Sequence, residues 1–194
     1  MKMCVFAGTF NPIHNAHLKM AQYVLDNFNF DKILFIPSHK PPHKDYEDKM
    51  SLHRYRMVEI ATRNNPHFEV SDIEFKRNNK SYTYDTMVEL YKLYNVEGKI
   101  NFIIGTDAFK QIEDWYKTEK LKELVDFIVF VRENDNVNLD YSKTKGYNFC
   151  FAKMNFIDIS STDLRNRVKN QKSIKNLVTR EVEEYIDKNG LYRD

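Results

Sequence analysis

A chain of 194 residues, 42% hydrophobic and 30% charged, can bury one substantial core and has the mixture expected of a single globular domain over 1–194. Thirty basic residues against 28 acidic leave a net charge of +2, which lacks the electrostatic footprint of a nucleic-acid binder. A mean hydropathy of -0.64, with no apolar run near about 20 residues, excludes a membrane-spanning helix and predicts no membrane partner.

The opening residues MKMCVFAG are broken by polar and turn residues before a signal segment can form, so the expected compartment is the cytoplasm. Cys4 and Cys150 cannot build a disulfide framework, and their apolar surroundings predict two buried small hydrophobes.

Runs rich in Val, Ile and Phe at 2–8, 32–38, 68–75, 99–105, 126–132 and 147–154 predict strands. Between them, Leu18, Ala21, Val24, Leu25 and Phe28 recur at helical spacing, as do Met57, Ile60 and Ala61, and then Met87, Leu90, Tyr91 and Tyr94. Ser51 to Arg54 reads as the cap and first turn of the second of these helices. Two polar amphipathic helices, about 162–170 and 174–188, close the chain, with Gly190 as a stop signal. This alternation predicts an α/β fold, a doubly wound Rossmann-like parallel sheet with C-terminal helices. In such a sheet, ordered 3-2-1-4-5, ligands collect at the carboxyl ends of strands 1 and 4. The loops after Ala7 and Ile104 should therefore face each other across one crevice.

Both loops carry unusual residues. Gly8-Thr9-Phe10-Asn11-Pro12-Ile13-His14-Asn15-Ala16-His17 joins the first strand to the first helix. Gly8 permits close backbone approach, and the helix start offers unpaired N–H groups and a positive dipole end. His14 and His17, three residues apart, can share one face. Such a turn suits a chain of phosphates; the plainer alternative is an Asn-capped turn with two solvated histidines. Neither a dinucleotide G-x-G-x-x-G nor a P-loop is present. The segment resembles the H-x-G-H signature of the nucleotidyltransferase superfamily, whose members activate ATP at its α-phosphate. Ala16 replaces the usual glycine, and Asn11 stands where many members have Asp.

Ile159-Ser160-Ser161-Thr162-Asp163-Leu164-Arg165 follows the last strand and offers hydroxyls and orphan N–H groups at a helix start. It resembles the I-S-S-T-x-[IL]-R motif of the same superfamily, which binds the triphosphate; taken alone it could be a simple helix cap. Ser38-His39-Lys40-Pro41-Pro42-His43-Lys44 is dense in phosphate donors. Lys49-Met50-Ser51 resembles part of a K-M-S-K-S loop but stands too early in the chain to be one. Ser81-Tyr82-Thr83-Tyr84-Asp85-Thr86-Met87, Ile104-Gly105-Thr106-Asp107-Ala108, Trp115-Tyr116 and Arg132 complete the set. Together these resemble the bacterial-type nicotinate mononucleotide adenylyltransferase family over essentially the whole chain. Each also has a plain alternative: Trp115 and Tyr116 as packing on the fourth helix, Asp107 as its cap, Lys40 and Lys44 as loop charges, and Thr83 and Thr86 as solvated first-turn residues.

The resemblance implies transfer of AMP from ATP to nicotinate mononucleotide with release of pyrophosphate. It implies that His14, His17 and Arg165 engage the ATP phosphates, with His17 facing the charge of the transition state. Gly8, Thr9, Phe10 and Ile159 would line the ATP site, Ser160, Ser161 and Thr162 would donate to phosphate, and Gly105 and Asp107 would contact ribose or substrate. Lys44, Thr83, Thr86, Trp115, Tyr116 and Arg132 would hold the mononucleotide. Mg²⁺ would ride on the triphosphate with no protein-built metal site. Pantetheine phosphate as the acceptor, or a regulatory nucleotide-binding module without turnover, are the rival readings. The sequence leaves open whether copies associate as a homo-oligomer.

Overall fold

The structure, a computed structural model, describes residues 2–42, 48–131, 146–154 and 159–193. The apolar runs form β1 (Cys4–Gly8), β2 (Ile33–Pro37), β3 (Phe68–Val70), β4 (Ile100–Gly105), β5 (Val125–Val131) and β6 (Phe149–Lys153). They join in one sheet ordered β3-β2-β1-β4-β5-β6, with every pairing parallel. Successive residues of a strand point to opposite faces, and here both faces are covered. Cys4, Phe6, Ile33, Phe35, Ile128 and Phe130 enter one apolar cluster, and Val5, Leu34, Ile36, Phe127 and Val129 enter the other.

Helices α1 (Asn15–Asn27), α2 (Asp48–Thr62), α6 (Ser161–Lys169) and α7 (Arg180–Lys188) cover the first face with Ala21, Val24, Met57, Leu164, Val182 and Ile186. Helices α3 (Thr83–Leu93), α4 (Thr106–Phe109) and α5 (Thr118–Leu124) cover the second with Met87, Leu90, Phe109 and Leu121. From β1 the chain builds outward through β2 to β3, then returns to the other flank of β1 with β4 and continues to β6. The order thus reverses between β1 and β4, and a crevice opens at their carboxyl ends.

Four expectations are corrected. The third strand does not run to residue 75: it ends at Val70, and the Phe75 N–H turns back onto the Asp72 carbonyl at 2.8 Å. Ser51 does not cap the second helix; α2 starts at Asp48 and Ser51 is buried within it. The closing helix starts at Arg180 instead of 174, behind Thr179, whose hydroxyl accepts from the Val182 N–H. The residues before it are drawn into tertiary bonds: the Asn15 N–H donates to the Leu177 carbonyl at 2.9 Å and the Asn15 amide to the Asn176 carbonyl at 2.8 Å. Cys150, unlike buried Cys4, is exposed, because β6 is the outer strand and pairs with β5 alone.

Candidate active site

The crevice is a cavity of about 660 Å³. Its floor is the sheet, through Phe6, Ala7 and Gly8 of β1, with Thr9 just after it, and Phe102, Ile104 and Gly105 of β4. Its walls come from Ser38 and Pro41 after β2, from Ser81, Tyr82 and Thr83 at the start of α3, and from Trp115 and Tyr116. The loops after Ala7 and Ile104 therefore meet as the strand order requires. Trp115 leaves a short 3₁₀ turn (Ile112–Asp114) in extended conformation and does not sit on a helix. Its ring stands edge-on to Phe102, with centroids 6.2 Å apart. Tyr116 is 42% exposed and stacks on Tyr82 at 4.4 Å, at the rim.

The 9–14 loop meets this cavity at Thr9 and is held by residues far away in sequence. The Arg54 guanidinium, only 4% exposed, donates to the Thr9 carbonyl at 2.7 Å and to the His39 carbonyl at 3.2 Å. It thereby ties the loop after β1 to the loop after β2. Burial pushes its pKa down to about 10, so it stays charged at neutral pH. Arg165 donates to the Asn11 carbonyl at 2.8 Å, and the Ser161 hydroxyl to the Pro12 carbonyl at 2.9 Å. Phe10 is buried with φ +47°, and its ring lies over Gly8, where an added Cβ would meet it at 3.2 Å. A side chain at position 8 would make this ring give way by a few tenths of an ångström.

His14 is the residue at the head of α1, in extended conformation and 6% exposed, so the alternative of two solvated histidines fails. Its ring stacks on that of His17 with centroids 3.7 Å apart. The His14 N–H donates to His17 Nδ1 at 3.2 Å. That bond leaves Nε2 to carry the proton of the neutral ring. Burial, and then the neighbouring His14, hold the His17 pKa well below the usual histidine range. His17 is thus a neutral Nε2–H donor of fixed orientation, packed edge-on against Phe6 and Phe10.

The motif at α6 divides between scaffold and site. Ser160 caps the helix, accepting from the Asp163 N–H at 3.0 Å, and Ile159 is buried in the core. Thr162 accepts from Arg165 at 3.2 Å, so this hydroxyl and guanidinium form one polar group beside the 9–14 loop. His14, His17 and Arg165 are not among the residues lining the cavity, nor is Asp107, which is exposed at the start of α4. Lys44 and Arg132 lie outside the described residues.

Thr86 is buried beneath the cavity wall rather than on it. Its hydroxyl donates to Glu74 at 2.8 Å and accepts from Arg77 at 2.6 Å, and Arg77 also pairs with Glu89 at 3.2 Å. Glu74 lines the cavity but is 3% exposed; burial raises its pKa, opposed by hydrogen bonds from Ser81 and Thr86. This network fixes the start of α3, where Ser81 also bonds both ways to the Lys40 backbone. Arg54, Glu74 and Arg77 were not singled out by motif. Glu74 alone carried a sequence signal, as a charge inside the strand-like run 68–75; Arg54 and Arg77 stand among polar and charged neighbours and carried none. Among the described residues, no group of three or more His, Cys, Asp or Glu could cage a metal ion. None of the described helices is long and apolar enough to cross a membrane.

A family model described as cytidylyltransferase-like matches residues 5–167. A nicotinate-nucleotide adenylyltransferase of Bacillus subtilis is 38% identical over 192 residues, covering 98% of each chain. A "probable nicotinate-nucleotide adenylyltransferase" of Caldicellulosiruptor bescii is 38% identical over 198 residues, covering all of both chains. The fold is also that of Plasmodium falciparum nicotinic acid mononucleotide adenylyltransferase complexed with NaAD, at TM-score 0.80, 24% identity, and coverage of 98% of this chain and 97% of that one. Matched by that family model over residues 5–167 and 38% identical to these relatives over essentially its whole length, the chain belongs to the cytidylyltransferase-like family and, within it, to the nicotinate-nucleotide adenylyltransferases.

Proposed function

We propose that this protein transfers AMP from ATP to nicotinate mononucleotide, in the cytoplasm, giving nicotinate adenine dinucleotide and pyrophosphate. One observation carries the reading. The loop that leads to His14 and His17 borders the Trp115 cavity through Gly8 and Thr9, and is bonded to the α6 start through Ser161 and Arg165. A mononucleotide in the cavity and a triphosphate at the two helix starts would share that loop as their common edge.

The 5′-phosphate of the mononucleotide is already an anion, so no general base has to create the nucleophile. One of its oxygens bonds to the α-phosphorus of ATP while the bond to the bridging oxygen breaks, and pyrophosphate leaves with that electron pair. Positioning and charge stabilisation then supply the catalysis. The His17 Nε2–H donates to the charge that develops in the transition state, and the N–H groups at the starts of α1 and α6 face phosphate. Mg²⁺ brought with ATP would supply neutralisation of triphosphate charge, and no group of three or more His, Cys, Asp or Glu among the described residues is built to cage it. In the cavity, Trp115 offers a flat face to the pyridine. The Tyr82–Thr83 edge of α3 offers helix-start donors to its carboxylate, with Thr86 and Glu74 as the support beneath.

A pyrophosphate-release assay with ATP, Mg²⁺ and one acceptor at a time tests this. Nicotinate mononucleotide should sustain turnover, and omission of the cation should stop it. Turnover with pantetheine phosphate in its place would move the chain to the rival acceptor. No pyrophosphate release with any of the acceptors would leave a binding module.

A further inference from the structure

Asn11 sits in the middle of the 9–14 loop, and its two oxygens are held from different parts of the chain. Its carbonyl accepts from Arg165 at 2.8 Å, and its side-chain Oδ1 accepts from the Tyr192 hydroxyl at 2.7 Å. Tyr192 is 181 residues away, and its delivery is built in steps. Helix α7 ends at Lys188, and Gly190 turns the chain in the left-handed region at φ +61°, its N–H bonded to the Asp187 carbonyl. The Leu191 N–H returns to the Ile186 carbonyl at 3.1 Å, and the Leu191 side chain is buried in the core beside α7. Tyr192 itself then stands at φ +63°, a conformation that a residue with a Cβ rarely adopts unless its contacts demand it.

We propose that Tyr192 is a positioning residue of the adenylyl transfer, fixing Asn11 and with it the loop that carries the histidines. The inference rests on the function proposed above. Burial raises the phenol's pKa, against the opposing effect of nearby Arg165 and Arg54, so at neutral pH the hydroxyl is a donor and not an anion. Arg165 and Ser161 hold only the backbone carbonyls of Asn11 and Pro12, which would leave the Asn11 side chain free to turn. The second bond removes that freedom. Arg54 and Arg165, the two guanidiniums that hold the loop backbone, both lie near this phenol, so the three form one brace.

The test uses Tyr192→Phe, which deletes one oxygen and keeps the ring, with Asn11→Ala, Asn11→Asp and the double variant Asn11→Ala/Tyr192→Phe. Steady-state kinetics are run well below the unfolding temperature, which is measured for each protein. Tyr192→Phe should lower kcat about tenfold, a share of the roughly 10² that a misplacement of about 1 Å can remove. KM for the mononucleotide should stay within about twofold. Asn11→Ala should match it, and the double variant should lose no more than either, since both delete one bond. Asn11→Asp keeps an acceptor for the phenol and should stay near wild type. Wild-type kcat in Tyr192→Phe, or losses that multiply in the double variant, would overturn the assignment. A loss in Asn11→Asp as deep as in Asn11→Ala would do the same. A wild-type protein with no turnover on any acceptor would instead defeat the proposed function.

Discussion

Arg54 offers the sharpest test of how the crevice is held, because its effects on stability and on activity should part company. The guanidinium makes two hydrogen bonds to carbonyls, at 2.7 and 3.2 Å. Bonds that involve a charged group contribute about 1.5–3 kcal/mol each. Against them stands desolvation: burial holds the Arg54 pKa down at about 10. At about 1.36 kcal/mol per pKa unit this opposes folding by up to about 3 kcal/mol. The two terms nearly cancel. Arg54→Met, which keeps length and apolar contact, should therefore lower the unfolding free energy by about 2 kcal/mol or less, with the freed carbonyls taking water from the cavity. Activity has no such offset, because Thr9 and the Ser38–His39 segment lose their common anchor, and kcat/KM should fall about 10². Arg54→Lys keeps the charge without the fork and should fall between. Urea unfolding by linear extrapolation and steady-state kinetics on the same preparations check both numbers. Arg54→Met with kcat/KM within threefold of wild type would refute the anchoring role. A stability loss beyond about 5 kcal/mol would refute the cancellation.

His17→Ala should lower kcat by about 10²–10³ while ATP affinity, read by calorimetry, changes far less; near-normal turnover would remove His17 from the chemistry. The same residue predicts a pH effect. Its folded pKa lies below the unfolded value, so its contribution to stability is complete above about pH 6.5 and is lost as pH falls from there toward the folded pKa. The unfolding temperature of wild type should drop over that acid range more than that of His17→Ala, and parallel curves would contradict it. Nicotinate mononucleotide should be preferred to its amide, since a pocket of donors suits an acceptor-only carboxylate, and Trp115→Ala should weaken both substrates. Equal kcat/KM for the two in wild type would sink the preference.

The fold was legible because a strand buried on both faces writes itself as a nearly unbroken apolar run, and β2 and β5 do so at every residue or almost every one. What escaped was set by contacts across the chain. The start of α7 depends on Asn15 taking carbonyls from 176 and 177, which no local periodicity records. Cys150 has apolar neighbours on both sides and is exposed because its strand is outermost, a property of sheet order. At the site, the motifs gave the right loops but not each side chain's task. Ser160 is a helix cap, and Thr86 is a buried link between Glu74 and Arg77. Thr86→Ala is accordingly expected to act on stability more than on substrate choice. Arg54 reads in the sequence only as part of a helix start, and Tyr192 carries no signal there, because their meaning lies in carbonyl and amide oxygens 45 and 181 residues away.

The same long reach bears on how the molecule comes into being. β1 is made first, yet it is a central strand whose second neighbour, β4, begins at Ile100. Until that stretch has been synthesised, one edge of the earliest strand stays unpaired, with Val5 and Phe6 lacking part of their cover. The loop behind it waits longer still, for Ser161, Arg165 and finally Tyr192. Contacts of such separation are closed late and slowly. A nascent chain on the ribosome would therefore hold a nearly complete sheet before its phosphate loop is braced, and would reach full turnover only once Tyr192 had left the exit tunnel.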